Sequence, residues 1–166
     1  LPHDCRSLFF SLCICPIFDY CDVAWCGLST TISDKLEVCQ RKLLKMLFCL
    51  PRDFSSAQLY VLARVCPLSI RRSLHSNMLI QKIKLEKVPR HLFPYDWFVR
   101  SRSTRAQVSL PAARTVQFTK SPLFHSYSDW LKLSSLAHHC HSMSQFRQVV
   151  CTELRFPAAL TRVKLN

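Results

Sequence analysis

Glycine is almost absent: Gly27 is the only one in 166 residues. That argues against Gly-rich phosphate loops, hairpins closed by Asn-Gly turns and helices that stop on glycine. Acidic residues are scarce too, ten against 23 lysines and arginines. No C-x2-C pair, H-E-x-x-H, G-x-S-x-G, Walker A or Rossmann pattern occurs, so nothing in the residues themselves composes a self-contained enzyme. A long apolar run is also missing. The most apolar stretch, residues 8–18 (LFFSLCICPIF), falls short of the about 20 residues of a membrane span and contains Pro16. It resembles the core of a signal peptide, but Asp19 and Asp22 follow where small residues belong, so it reads as protein core. The chain begins at Leu1 rather than Met, which suggests a fragment or an incomplete gene model.

What is present points to a helical, basic protein. An apolar fraction of 49% with 20% charged residues is that of a globular chain. The net charge of +13 is unevenly spread. Residues 1–53 balance six bases with six acids, whereas residues 54–128 set twelve bases against Glu86 and Asp96 alone. A field concentrated in this way attracts polyanions, nucleic acid first and an anionic membrane surface second; a merely solvated face is the plain alternative. Eight of the ten cysteines fall within residues 5–66, mostly inside apolar runs. That placement suits reduced, buried thiols in an intracellular protein, cytoplasmic or nuclear, rather than a secreted disulfide scaffold.

Periodicity predicts a helix over 4–15 ended near Pro16, a short segment over 17–26 and a turn over 27–31. The firmest helix spans 34–49, with Asp34 and Glu37 in capping-box positions and Pro51 as its stop. Its apolar side carries Leu36, Cys39, Leu43, Leu44, Met46 and Leu47; Lys35, Arg41, Lys42 and Lys45 take the other side. A helix capped by Ser55 or Ser56 runs through Arg64, and another spans 67–86 with Pro67 at its first position. Pro89, Pro94, Pro111 and Pro122 break the next stretch, and short helices follow around Trp130 and over 144–154. The expected fold is mainly α, five to seven helices in an irregular bundle. Residues 1–87 form the helical core region, 88–125 a Pro-rich basic connector, 126–156 a C-terminal helical segment and 157–166 a loose tail.

Several blocks carry a resemblance. Residues 16–27, PIFDYCDVAWCG, come first; Leu36, Gln40, Arg41, Leu43, Leu44 and Lys45 follow; then Leu59, Tyr60, Pro67, Leu68, Arg71, Arg72 and His75. Weaker blocks keep the order: Thr104 and Arg105, Leu110, Pro111, Arg114 and Thr115, then Lys120, Ser121, Phe124, Tyr127 and Trp130, and last Ser144 and Phe146. Taken together they resemble the region downstream of the polymerase domain in jockey-like LINE (non-LTR retrotransposon) reverse transcriptases. The chain departs from that pattern at Lys45, where the family has arginine, and at residues 131–134, LKLS, where it has N.LP. The resemblance implies a non-catalytic C-terminal piece of an RNA-directed DNA polymerase whose Mg2+ would sit in an upstream palm. Its implied partners are template RNA or DNA and that upstream polymerase domain.

Two constellations invite chemistry and do not support it. Tyr20, Cys21 and Asp22 have the look of a polymerase turn, but Val23 stands where the second metal-holding aspartate is needed, so no catalytic residue is assigned. The structural reading is that Tyr20 and Trp25 anchor a packed helix pair, with Asp22 and Gly27 completing the motif. His138, His139, Cys140 and His141 are adjacent and cannot converge on one tetrahedral ion; an exposed loop is expected there, with no metal and no cofactor. The candidate phosphate contacts are Arg71, Arg72, Arg100, Arg102, Arg105 and Arg114, with Trp97 and Phe98 as candidate base-stacking platforms. The competing readings are a protein–protein assembly module built on helix 34–49 and a decayed remnant without function.

Overall fold

A chain poor in glycine and rich in leucine, lysine and arginine has few alternatives to helix, and helices are what the computed structural model contains. It describes residues 2–85 and 115–154. The fold is mainly α, with no strand among the described residues. Helix α1 (His3–Phe9) continues through a π-helical turn (Phe10–Ile14) into α2 (Cys15–Asp19). A 3-10 turn (Asp22–Trp25) leads to α3 (Thr30–Leu47), α4 (Ser56–Ala63) and α5 (Leu68–Lys84). After the undescribed stretch come α6 (Val116–Thr119), α7 (Pro122–Leu131), α8 (Ser135–His138) and α9 (Met143–Glu153). The connector expected to end at 125 is thus helical from Val116 onward. Ser121 accepts a hydrogen bond from the Phe124 N–H, and Pro122 occupies the first turn of α7, where a missing N–H does no harm.

Three other boundaries differ for definable reasons. Pro16 does not end the first helix: the preceding residues widen to π geometry, the Cys15 N–H reaching back to the Phe10 carbonyl, and the proline falls within the first turn of α2. Helix α3 starts four residues before Asp34, and the capping box does not form. The Glu37 carboxylate instead accepts from the Tyr60 hydroxyl and from the Leu68 N–H at 3.0 Å, tying α3 to α4 and to the start of α5. The His-rich loop is partly a helix, α8, and His138 is half-buried with its ring 4.2 Å from that of Trp130, while His139 and His141 are exposed.

Two apolar clusters form the interior. One gathers Phe10, Leu44, Phe48, Leu59, Ala63 and Val65 between the π-turn, α3 and α4. The other gathers Leu74, Ile80 and Ile83 of α5 with Tyr127, Trp130, Ala137, Phe146 and Val150 of α7, α8 and α9. Helix α5 packs against α2, the 22–25 turn, α3, α7 and α9, which makes it the common strut. Its polar residues inside the protein serve as cross-braces. Gln81 donates to the Cys140 carbonyl at 2.8 Å and accepts from the Trp130 indole at 3.2 Å. The 8–18 run departs from its expectation as core: Phe10 is buried, but Leu8, Phe9, Leu12 and Ile17 are exposed. The ten cysteines are all free, and only Cys66 and Cys151 are buried.

The shortage of glycine is visible at the helix ends. Cys49 and Arg64 take left-handed backbone at φ 55° and 53°, positions that glycine fills without strain. The Leu50 N–H returns to the Lys45 carbonyl and the Val65 N–H to the Tyr60 carbonyl, closing both ends. A left-handed L-residue is disfavoured by about 1–2 kcal/mol, and glycine returns part of that through its looser unfolded chain. Exposed Cys49→Gly is therefore expected to stabilise the protein by about 0.5–1 kcal/mol in urea unfolding. His138 supplies a pH dependence. Burial first, and the Lys84 ammonium second, hold its imidazole below the ordinary 6.5. The unfolded chain then binds the proton more readily, so stability is intact above that value and falls as pH drops below it. Replacing His138 with Phe should flatten this fall in thermal unfolding recorded from pH 8 to pH 5.

Candidate nucleic-acid interface

The two candidate arginines that the structure describes are not exposed side chains on an outer face. Arg71 and Arg72 are 7% and 8% exposed. They sit on the inward side of α5 because that helix is flanked by α2, the 22–25 turn and α3 along its first turns. The Arg71 guanidinium lies 2.9 Å from Asp19 Oδ1 and donates to Gln40 Oε1 at 3.3 Å and to the Cys15 sulfur at 3.2 Å. Gln40, fully buried on α3, donates in turn to the Cys66 carbonyl. Arg72 donates to Ser33 Oγ at 2.7 Å and to the Leu68 carbonyl at 3.4 Å. One turn further along the strut, His75 Nδ1 meets the buried Asp22 carboxylate at 2.5 Å. The role of Arg71 and Arg72 as exposed backbone contacts is corrected accordingly: they join helices. Arg100, Arg102, Arg105 and Arg114, with Trp97 and Phe98, lie outside the described residues.

The 16–27 block divides in the same way. Tyr20 is 75% exposed and Trp25 36%, so neither is the anchor that the sequence suggests. The anchors are Asp19 and Asp22, which point inward to the basic residues of α5, and Gly27. A Cβ at Gly27 would overlap the carbonyl oxygen of Lys120, so only glycine lets the turn after Trp25 approach the backbone ahead of α7 so closely. Burial holds the Asp19 carboxyl above its usual value even though the Arg71 guanidinium beside it and His75 pull the other way. Removing two ions from water thus outweighs part of their attraction, and the pair fixes geometry more than it adds stability. Among the described residues, no group of three or more His, Cys, Asp or Glu gathers in a form that would hold a metal ion.

Exposed positive charge gathers elsewhere. Arg41, Lys42 and Lys45 of α3, with Arg52 from the following loop, line an open groove of about 790 Å³ together with Val38, Met46 and Leu50. No carboxylate is among its described lining residues. The nearest acid on α3, Glu37, is taken up by Tyr60 and Leu68. Lys45 is steadied by donating to the Arg52 carbonyl at 2.6 Å, which links the helix to the loop across the groove. A second recess beside it, about 540 Å³, shares Val38 and Lys42 and adds Lys35 and Asp34. Helical spacing already placed Lys35, Arg41, Lys42 and Lys45 on one polar side; Arg52 joins them only because the chain turns back beyond Pro51. Comparison of the chain with family models, curated proteins and solved structures returns no match.

The buried ionic seam has a measurable signature. Arg71→Ala leaves Asp19 and Gln40 without their partner inside the protein, and a loss of about 3–5 kcal/mol in denaturant unfolding is expected. The double replacement Arg71→Met with Asp19→Asn removes both charges and should lose markedly less. Equal losses would show that the two side chains do not interact.

Proposed function

We propose that this chain is a non-catalytic helical segment akin to the post-polymerase region of a jockey-like LINE reverse transcriptase, and that it holds template RNA or DNA through basic surface. The observation that carries the nucleic-acid part is the α3 groove: four cationic side chains on one open surface, next to apolar side chains and with no acid among the described lining residues. Lysine and arginine in such a groove displace counterions from a phosphate backbone, and Met46 and Val38 offer apolar surface to uncovered bases. Arg100, Arg102, Arg105 and Arg114, outside the described residues, add to the positive charge of the chain. The blocks that carry the resemblance also engage each other in the fold. Asp19 and Asp22 of the first block pair with Arg71 and His75 of the third, and Gln40 of the second bonds Arg71. In this reading polymerisation and its metal ions belong to the upstream palm, and this segment supplies grip.

A second reading, a protein assembly module, is favoured by one feature. Leu8, Phe9, Leu12, Ile17 and Tyr20 are all substantially exposed along the first continuous helical stretch, an apolar stripe of the kind that partners cover.

The two readings separate by salt. Affinity for a single-stranded RNA, measured by fluorescence anisotropy, should fall steeply as salt rises. Each phosphate contact on a single strand contributes about 0.7 to the slope of log K against log salt. Lys42→Gln with Arg52→Gln, both exposed, should therefore reduce that slope by about 1.4 while leaving the circular dichroism spectrum unchanged. Affinity indifferent to salt sinks the nucleic-acid reading.

A further inference from the structure

We infer that a small polar recess between the 22–25 turn, α3, α5 and α7 is a binding site for a phosphate-type oxyanion, free or carried on a nucleic-acid strand. The recess measures about 160 Å³ and is lined by Trp25, Ser33, Ser69, Arg72, Ser73 and Asp129 among others. A water occupies about 30 Å³ of liquid, so a tetrahedral anion and its remaining waters fit.

The argument starts from Arg72. It is 8% exposed, yet no carboxylate pairs with it among the described residues, unlike its neighbour Arg71. Its Nε and Nη2 donate to the Leu68 carbonyl and to Ser33 Oγ, both uncharged. Its Nη1 has no partner among the described residues. A largely buried guanidinium that no carboxylate pairs with is a ready partner for an anion, and the recess that it lines is where such an anion fits. The other walls suit the same ligand. Ser69 and Ser73, one turn apart on α5, place two hydroxyls beside Arg72, and Ser69 stands in the first turn of a 17-residue helix. The backbone there carries positive potential, already used once by Glu37 at the Leu68 N–H. Trp25 brings a half-open indole face to the recess, where a base or sugar attached to the phosphate would lie. Asp129 is the one opposing charge; its half-exposed carboxylate pairs with Lys132 at 2.7 Å. This site is separate from the α3 groove and stands or falls apart from it.

The test titrates inorganic phosphate into the 15N-labelled full chain and follows the amides of Ser69 and Ser73 and the indole N–H of Trp25. Saturable shifts at those three, absent with sodium chloride at matched ionic strength, are expected. Ser69→Asp puts a carboxylate in the first turn of α5, where it favours the helix but repels an anion. The expected outcome is an unfolding midpoint unchanged or raised, with phosphate affinity lowered at least about tenfold. Shifts that fall outside the recess, or a Ser69→Asp variant that binds phosphate undiminished, would overturn the inference. A 5′-phosphorylated oligoribonucleotide that binds more tightly than its unphosphorylated twin, with the difference lost in Ser69→Asp, assigns the anion to a strand end; no difference assigns it to free phosphate. A chain that binds RNA in a salt-dependent way but shows no phosphate shift loses this site alone. One that binds phosphate here and no nucleic acid loses the proposed function alone.

Discussion

The Arg71 guanidinium is the contact on which the N-terminal half depends. It sits where α2, α3 and α5 converge, and it answers a carboxylate, an amide and a thiol from residues 15, 19 and 40 at once. Apolar packing alone would leave these helices in two separate groups, one around Phe10 and Leu44, the other around Trp130 and Phe146. Helix α5 joins the groups through polar side chains as much as through leucine: Arg71, Arg72 and His75 toward the N-terminal elements, Gln81 toward α7 and the turn after α8. At Arg71, charge that the composition presents as an excess is structural, answered by Asp19 from the balanced first third of the chain.

The helical character and most element positions were legible in the amino-acid sequence, because leucine periodicity and prolines after Leu50 and Cys66 are local signals. What was not legible came from contacts between distant segments. Glu37 has the spacing of a capping residue and is instead drawn to Tyr60 and Leu68, so the helix begins earlier than its apparent cap. Residues 8–18 are apolar enough for a core, but Phe10 alone is fully buried, with Ile14 and Cys15 packed partly against its cluster, and no described element covers the opposite side. Arg71 and Arg72 carry the composition of a phosphate contact, and nothing in a linear reading reveals that Asp19 and Ser33 lie across from them. The α3 groove was half visible: three of its four cations share a helical face, while Arg52 depends on the reversal of the chain.

Positive charge therefore has two fates here. Where a carboxylate pairs with it, as at Arg71, it is used up inside the protein; where none does among the described residues, on α3 and at Arg72, it is left without a counter-charge. The 16–27 segment serves the first fate through its aspartates and leaves its aromatics, Tyr20 and Trp25, turned toward solvent.

The polar bracing of α5 also restricts how the two halves can assemble. Leucine against leucine tolerates a slide of one helical turn, since one methyl group replaces another. A glutamine held by an indole and a carbonyl, or an arginine facing an aspartate, tolerates none. Advancing α5 by a single residue swings its side chains through about 100° and strands every one of those partners together. The strut works like a key with cuts on both edges: each lock alone admits several positions, and only one turns both.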